Sequence, residues 1–146
     1  MNPIILFRIA HYLYKKDIPL VPKFITLLIR FLFACYLPHT LIVGKKLQLG
    51  YGGLGVVIHG RCRIGDNCHI DQNVTLGGTS KKLDVPILGN NVYIGSGAKI
   101  IGPITIGNDV VIGANAVVVK DIPSCSLVVG IPGKVIKSGI KMSDYV

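Results

Sequence analysis

From Ile58 onward, aliphatic side chains recur every six residues. Ile58, Ile64, Ile70 and Leu76 begin the series, and Leu88, Ile94, Ile100, Ile106, Ile112 and Val118 continue it in the same phase. An α-helix repeats every 3.6 residues and a strand every two, so neither generates this lattice. A six-residue period predicts a parallel β-helix, in which three short strands complete a triangular coil of about eighteen residues. Successive coils then stack about 4.8 Å apart. Each lattice side chain is expected to point inward and stack on its copy one coil away. The position after it is Gly at 65, 77, 89, 95, 107 and 113, read as corners that need positive φ. The fourth position after it is mostly small or apolar, as in Cys62, Cys68, Val74, Val92, Ala98 and Val110.

One lattice point fails, because position 82 is Lys82. The polar stretch 79–86 around it predicts a loop thrown out from the coil, a common place for function on a rigid scaffold. Pro123, Gly130, Pro132 and Gly133 interrupt the hexads near the end, as a cap must. The pattern before the lattice is different. Arg8, His11 and Lys15 form a polar stripe at helical spacing, and Pro3 and Pro22 stand where helices can begin. The organisation expected is therefore mainly β: a helical N-terminal region over 1–46, a β-helix over 47–137 with the extruded loop 79–86, and a tail over 138–146.

The mean hydropathy of +0.57 is high, so the chain should hide apolar surface by self-association or touch a membrane. The stretch 24–37 is interrupted by Arg30 and closed by Pro38, too short for the roughly 20 apolar residues of a membrane span. Peripheral contact through residues 1–43 is the remaining membrane option. The net charge of +9 suits an anionic lipid or a phosphorylated ligand. Nucleic acid is not expected, since no basic patch interleaves with aromatics and no zinc-finger or helix-turn-helix pattern occurs. Cys35, Cys62, Cys68 and Cys125 form no C-x-x-C pair, and no signal peptide is visible, so a reduced, cytoplasmic setting is expected, with the inner membrane surface as an option.

Three segments resemble the hexapeptide-repeat acyltransferases, in their serine-acetyltransferase-like branch. They are Gly55-Val56-Val57-Ile58-His59 with Gln72-Asn73-Val74-Thr75-Leu76-Gly77-Gly78, then Ile94-Gly95-Ser96-Gly97-Ala98, and then Ile112-Gly113-Ala114-Asn115-Ala116 with Gly130-Ile131-Pro132-Gly133-Lys134. The resemblance implies a left-handed coil, against the usual right-handed rule for parallel crossovers. It also implies a homotrimer, with acetyl-CoA as co-substrate in the groove between neighbouring β-helices. Two departures stand out. The helical region is much shorter than in serine acetyltransferases. Their two His-bearing segments here read Tyr51-Gly52-Gly53-Leu54 and Asp84-Val85-Pro86. The expected acceptor is therefore a sugar of surface-polysaccharide synthesis, acetylated on a hydroxyl or an amine, with serine as the alternative and a non-catalytic trimeric binding module as the reading of another class.

Acetyl transfer needs a base for the acceptor's proton and stabilisation of the tetrahedral oxyanion. His59 is the candidate base, since an imidazole replaces the corner Gly and titrates near working pH. His69 is the second choice, with Asp71 or Asp66 as possible orienting carboxylates; Asp66 sits in a Gly-Asp-Asn corner that suits a turn. Gly77 and Gly78 are expected beside His59, where backbone N–H groups could meet the thioester. For CoA the resemblance points to Gly95, Ser96, Ala98, Ala114, Gly130, Ile131 and Pro132, with Lys120 and Lys134 toward phosphates. No metal is expected, because His59 and His69 alone are too few ligands. Cys62 and Cys68 fall at inward positions and read as core.

Overall fold

The structure, a computed structural model, describes residues 2–146. Helices α1 (Pro3–Lys15) and α2 (Val21–Phe33) open the chain. The Asn2 side chain accepts the Ile4 N–H at 2.9 Å, and Pro3 occupies the first turn, so the start of α1 is capped from sequence. The helices pack against each other and onto the first coil. The Arg8 guanidinium donates to the Val43 and Gly44 carbonyls. His11 shares a hydrogen bond with the His39 carbonyl at 2.9 Å, and the His39 N–H donates to Thr26 Oγ1 at 3.2 Å. Both histidines thus hold the helices to the coil. Burial and the nearby Lys23 hold the His39 imidazole below its ordinary pKa.

The remainder winds as a left-handed parallel β-helix with three faces. The first face stacks β1 (Ile42–Val43), β4 (Arg63–Ile64), β7 (Ile87–Leu88) and β10 (Thr105–Ile106). The second stacks β2 (Gln48–Leu49), β5 (His69–Ile70), β8 (Val92–Ile94), β11 (Val110–Ile112) and β13 (Ser126–Val129), and closes with antiparallel β14 (Lys134–Ser138). The third stacks β3 (Val57–Ile58), β6 (Thr75–Gly77), β9 (Lys99–Ile101) and β12 (Val117–Val118). All ten lattice residues are buried at 3% exposure or less, and they pair in columns: Ile58 on Leu76 on Ile100 on Val118. Each fully buried aliphatic contributes about 1.5–3 kcal/mol of transfer free energy.

Strand pairing begins earlier than the lattice suggests, with β1 on β4 and a bridge from Tyr36 to Val57. The first coil is hidden in the pattern because the turn Gly50–Gly53 inserts residues between Leu49 and Ile58 and shifts the phase. The extruded loop does the same later: Ile64 pairs with Leu88 and Ile70 with Ile94, one hexad more than a regular coil.

The corner glycines correct one expectation. Gly65, Gly77, Gly89, Gly95, Gly107 and Gly113 do not have positive φ; that conformation falls two residues later, at Asn67, Asn91, Gly97, Asp109 and Asn115. What requires Gly at 65, 89, 95 and 107 is close stacking: a Cβ on Gly65 would lie 2.4 Å from the Gly89 carbonyl oxygen of the next coil. Side chains cap the same corner in a ladder. Asp66 accepts the Lys45 N–H at 2.6 Å, Asn90 accepts Asp66 at 2.7 Å, Asn108 accepts Asn90 at 2.7 Å and Ser124 accepts Asn108 at 2.9 Å. Asp66 therefore builds a turn, and its role as a partner for an imidazole is withdrawn.

Candidate active site

His59 follows β3 at the corner where the third face turns into the first. Its N–H donates to the Leu76 carbonyl at 2.8 Å, and the register of β3 on β6 stacks it over Gly77. The chain leaves the coil at Gly78, and the loop returns to cover it: a Cβ on Gly78 would meet Val85 Cγ1 at 3.3 Å, and Val85 is buried. Arg61 ties the loop down by donating to the Leu83 carbonyl at 2.5 Å. His59, Gly77, Gly78 and the loop thus form one corner, as the spacing suggested. Among the described residues, no carboxylate orients His59. Instead the Arg61 backbone N–H donates to its Nδ1 at 3.2 Å. The neutral ring then carries its proton on Nε2 and presents a donor. For Nε2 to accept a proton, the neutral ring must carry its own proton on Nδ1 instead, which requires it to turn out of this long contact with the Arg61 N–H.

The imidazole–carboxylate pair lies elsewhere. On the second face, His69 Nε2 is 3.2 Å from Asp71 Oδ1, and the Tyr93 hydroxyl donates to Asp71 Oδ2 at 2.6 Å. The Tyr93 and His69 rings meet edge-on at 5.3 Å. That hydrogen bond to the carboxylate, with burial, pushes the Tyr93 hydroxyl up to about 12, so it remains a donor. Tyr93 had a readable signal: it occupies the outward position before Ile94, one loop-lengthened coil after His69.

The residues expected to hold CoA divide between two corners. Gly95, Ser96, Ala114 and Gly130-Ile131-Pro132 lie where the second face turns into the third. There the Val117 N–H donates to the Gly130 carbonyl at 3.0 Å and the Gly133 N–H to the Val117 carbonyl at 2.7 Å, and Ile131 is 74% exposed. Exposed Lys134 follows on that corner, whereas exposed Lys120 follows β12 on the His59 corner. Ala98 is fully buried in the coil, so its side chain cannot line a ligand groove. Within one copy, the third face separates His59 from the second group. Among the described residues, no three His, Cys, Asp or Glu side chains converge. Burial drives the Cys35 and Cys62 thiols up to about 11 and raises Cys68, which leaves all three poor nucleophiles.

A cleft of about 780 Å³ opens on the first face beside the His59 corner, lined among others by Gly60, Arg61, Arg63, Asp84, Tyr14 and Thr105. Sequence reasoning missed Arg61 and Arg63. Their signal was position: two residues after His59, and the outward place before Ile64.

A left-handed hexapeptide coil with an extruded loop and small-residue corners defines a class, and the comparisons agree with it. Residues 86–120 match the family model described as bacterial transferase hexapeptide (six repeats). The chain is 42% identical to the serine acetyltransferase of Synechococcus elongatus over 138 residues, covering 92% of this chain and 56% of that protein. The crystal structure of Brucella abortus serine acetyltransferase in complex with coenzyme A superposes with a TM-score of 0.88 at 32% identity, covering 92% of this chain and 54% of the other. Soybean serine acetyltransferase complexed with serine gives 0.86 at 32% identity, covering 92% and 56%. The chain belongs to the hexapeptide-repeat transferases. It spans just over half the length of these relatives.

Proposed function

We propose that the chain transfers the acetyl group of acetyl-CoA directly to a hydroxyl of a small acceptor. The observation that carries this reading is the match of 92% of the chain to serine acetyltransferases, one of them in complex with coenzyme A. In the step itself, the acceptor oxygen attacks the thioester carbonyl while its proton passes to Nε2 of His59, the ring having turned away from the Arg61 N–H and holding its own proton on Nδ1. The tetrahedral intermediate collapses with cleavage of the C–S bond, and the imidazolium returns the proton to the CoA sulfur. Gly77 and Gly78 bring backbone beside that ring, where an N–H can meet the oxyanion.

Similarity supports serine as acceptor over the sugar that the motifs suggest. The sugar is the second reading, and two site observations favour it. The segments Tyr51-Gly52-Gly53-Leu54 and Asp84-Val85-Pro86 carry no histidine where the serine-acetyltransferase pattern has one in each, and the cleft beside His59 is far larger than an amino acid. Thiol release from acetyl-CoA, measured with serine, amino sugars and oligosaccharides, decides between them. Release with serine alone supports the first reading, and release with saccharides alone the second. No release with any acceptor and no CoA binding would leave a non-catalytic module.

A trimer is part of this proposal. The outward residues of the third face run Val57, Thr75, Lys99 and Val117, an exposed valine at one end and a half-buried one at the other, and a neighbouring copy placed there would bring the second corner of one chain to the His59 corner of the next. CoA would then lie between copies, with Lys134 and Lys120 toward its phosphates.

The helices suggest a further contact, with an anionic membrane surface. Among the described residues, no helix is long and apolar enough to cross a membrane. Yet Phe24, Leu27 and Phe31 of α2 are 65%, 62% and 85% exposed at helical spacing, flanked by Lys23 and Arg30. The protein is expected to sediment with phosphatidylglycerol vesicles but not with phosphatidylcholine ones. Phe31→Ser should weaken this about tenfold, the transfer free energy of one large apolar side chain. Equal recovery in the supernatant with both vesicles would dismiss the contact.

A further inference from the structure

The cleft on the first face is built around two guanidiniums. Arg63 projects outward from β4, and Arg61 stands at the His59 corner with one nitrogen committed to the Leu83 carbonyl. Among the described residues, neither lies within ion-pairing distance of a carboxylate, although Asp84 shares the cleft. The strand position explains why they converge. Arg63 pairs with Ile87 of β7, so the next outward residues up that face are Ile87 and Thr105, both lining the cleft. The loop closes one side through Leu83 and Val85, and Tyr14 of α1 contributes an aromatic edge. The result is an apolar floor with hydroxyls from Thr40 and Thr105 and two cationic forks.

Arginine recognises planar oxyanions by paired N–H donors of a rigid, pre-organised fork. Two such groups facing one cleft repel each other unless an anion sits between them. The volume of about 780 Å³ lies within the range of small-molecule sites and exceeds what serine can fill. An aromatic edge, threonine hydroxyls and apolar surface complete a lining suited to a sugar ring.

We infer that this cleft is the acceptor site and that it selects an acidic saccharide, its carboxylate or phosphate held by Arg63 and Arg61. The inference takes the second, saccharide reading of the acceptor and rests on the transfer reading for the purpose of the site, since Gly60 in its lining directly follows His59. Binding itself requires no acetyl-CoA. Asp84 tunes the site by opposing the anion from the loop.

The test is calorimetric titration of the full chain, without acetyl-CoA, against glucuronic acid, glucose 1-phosphate, glucose and serine. Both acidic sugars, or one of them, should bind at least tenfold more tightly than glucose, and which one binds identifies the anion. Arg63→Gln should lower that affinity tenfold or more while leaving glucose unaffected, and Asp84→Asn should raise it. Because Arg61→Gln also releases the loop, Arg63→Gln carries the decision, with an unchanged melting temperature as the check on folding. Equal affinity for glucose and the acidic sugars, binding of serine alone, or indifference to Arg63→Gln would each overturn the inference. Should acidic sugars bind as expected and no acetyl transfer follow, the transfer reading fails while the site stands.

Discussion

His59→Ala is expected to reduce acceptor-dependent CoA release by about 10²–10⁴-fold, the range that a positioned acid–base group supplies. The fold should be untouched, because His59 is only partly buried and its backbone N–H, not its side chain, bonds the next coil. The paired control is His69→Ala. His69 is tied to Asp71 and lies on the second face, away from the loop and the Arg61–Arg63 cleft, so its loss should change the rate by no more than a few-fold. The two variants separate competing cues. An Asp-oriented imidazole is the common arrangement for a base, and it occurs here at His69; the loop, the glycine pair and the cleft occur at His59. A rate that collapses in His69→Ala and survives in His59→Ala would move the chemistry to the second face, with Tyr93 and Asp71 as its supporting pair.

Ile100→Ala should destabilise the protein by about 2–5 kcal/mol, read as a lower midpoint in urea at constant slope. Ile100 is fully buried, and in the column of the third face it lies between Leu76 below and Val118 above. The coils are held by strand hydrogen bonds on all three faces, so neighbouring side chains cannot collapse into the vacated space. The cavity term is then close to its upper end. Lys99→Ala, one residue earlier, removes an outward side chain whose amino group meets the Asn73 carbonyl at the surface. It should cost well under half as much. Similar losses at both positions would mean that the interior column is not the main source of stability.

The alternation of strong and weak positions that separates these two variants was already visible in the amino-acid order. A six-residue period can be satisfied only by a backbone that turns three times in eighteen residues, so lattice, inward columns and the break at Lys82 followed from the chain itself. The place of His59 over Gly77 followed as well, because no insertion lies between them. The core reading of Cys62 and Cys68 followed from the same phase.

What lay beyond the sequence depended on register and on neighbours distant along the chain. The coil preceding Ile58 was masked because the turn Gly50–Gly53 breaks the period, and a broken period carries no phase forward. The pairing of Tyr93 with Asp71 and His69 required knowing which outward side chains share a face after the loop adds its extra hexad. The reason for the corner glycines at 65, 89, 95 and 107 was also tertiary: a Cβ there meets the backbone of the coil above, a clash that no local rule contains. The cleft of Arg61 and Arg63 belongs to the same category. It exists only because β4, the loop and α1 meet on one face, and contacts between segments so far apart are decided by packing, not by the local preferences that a sequence displays.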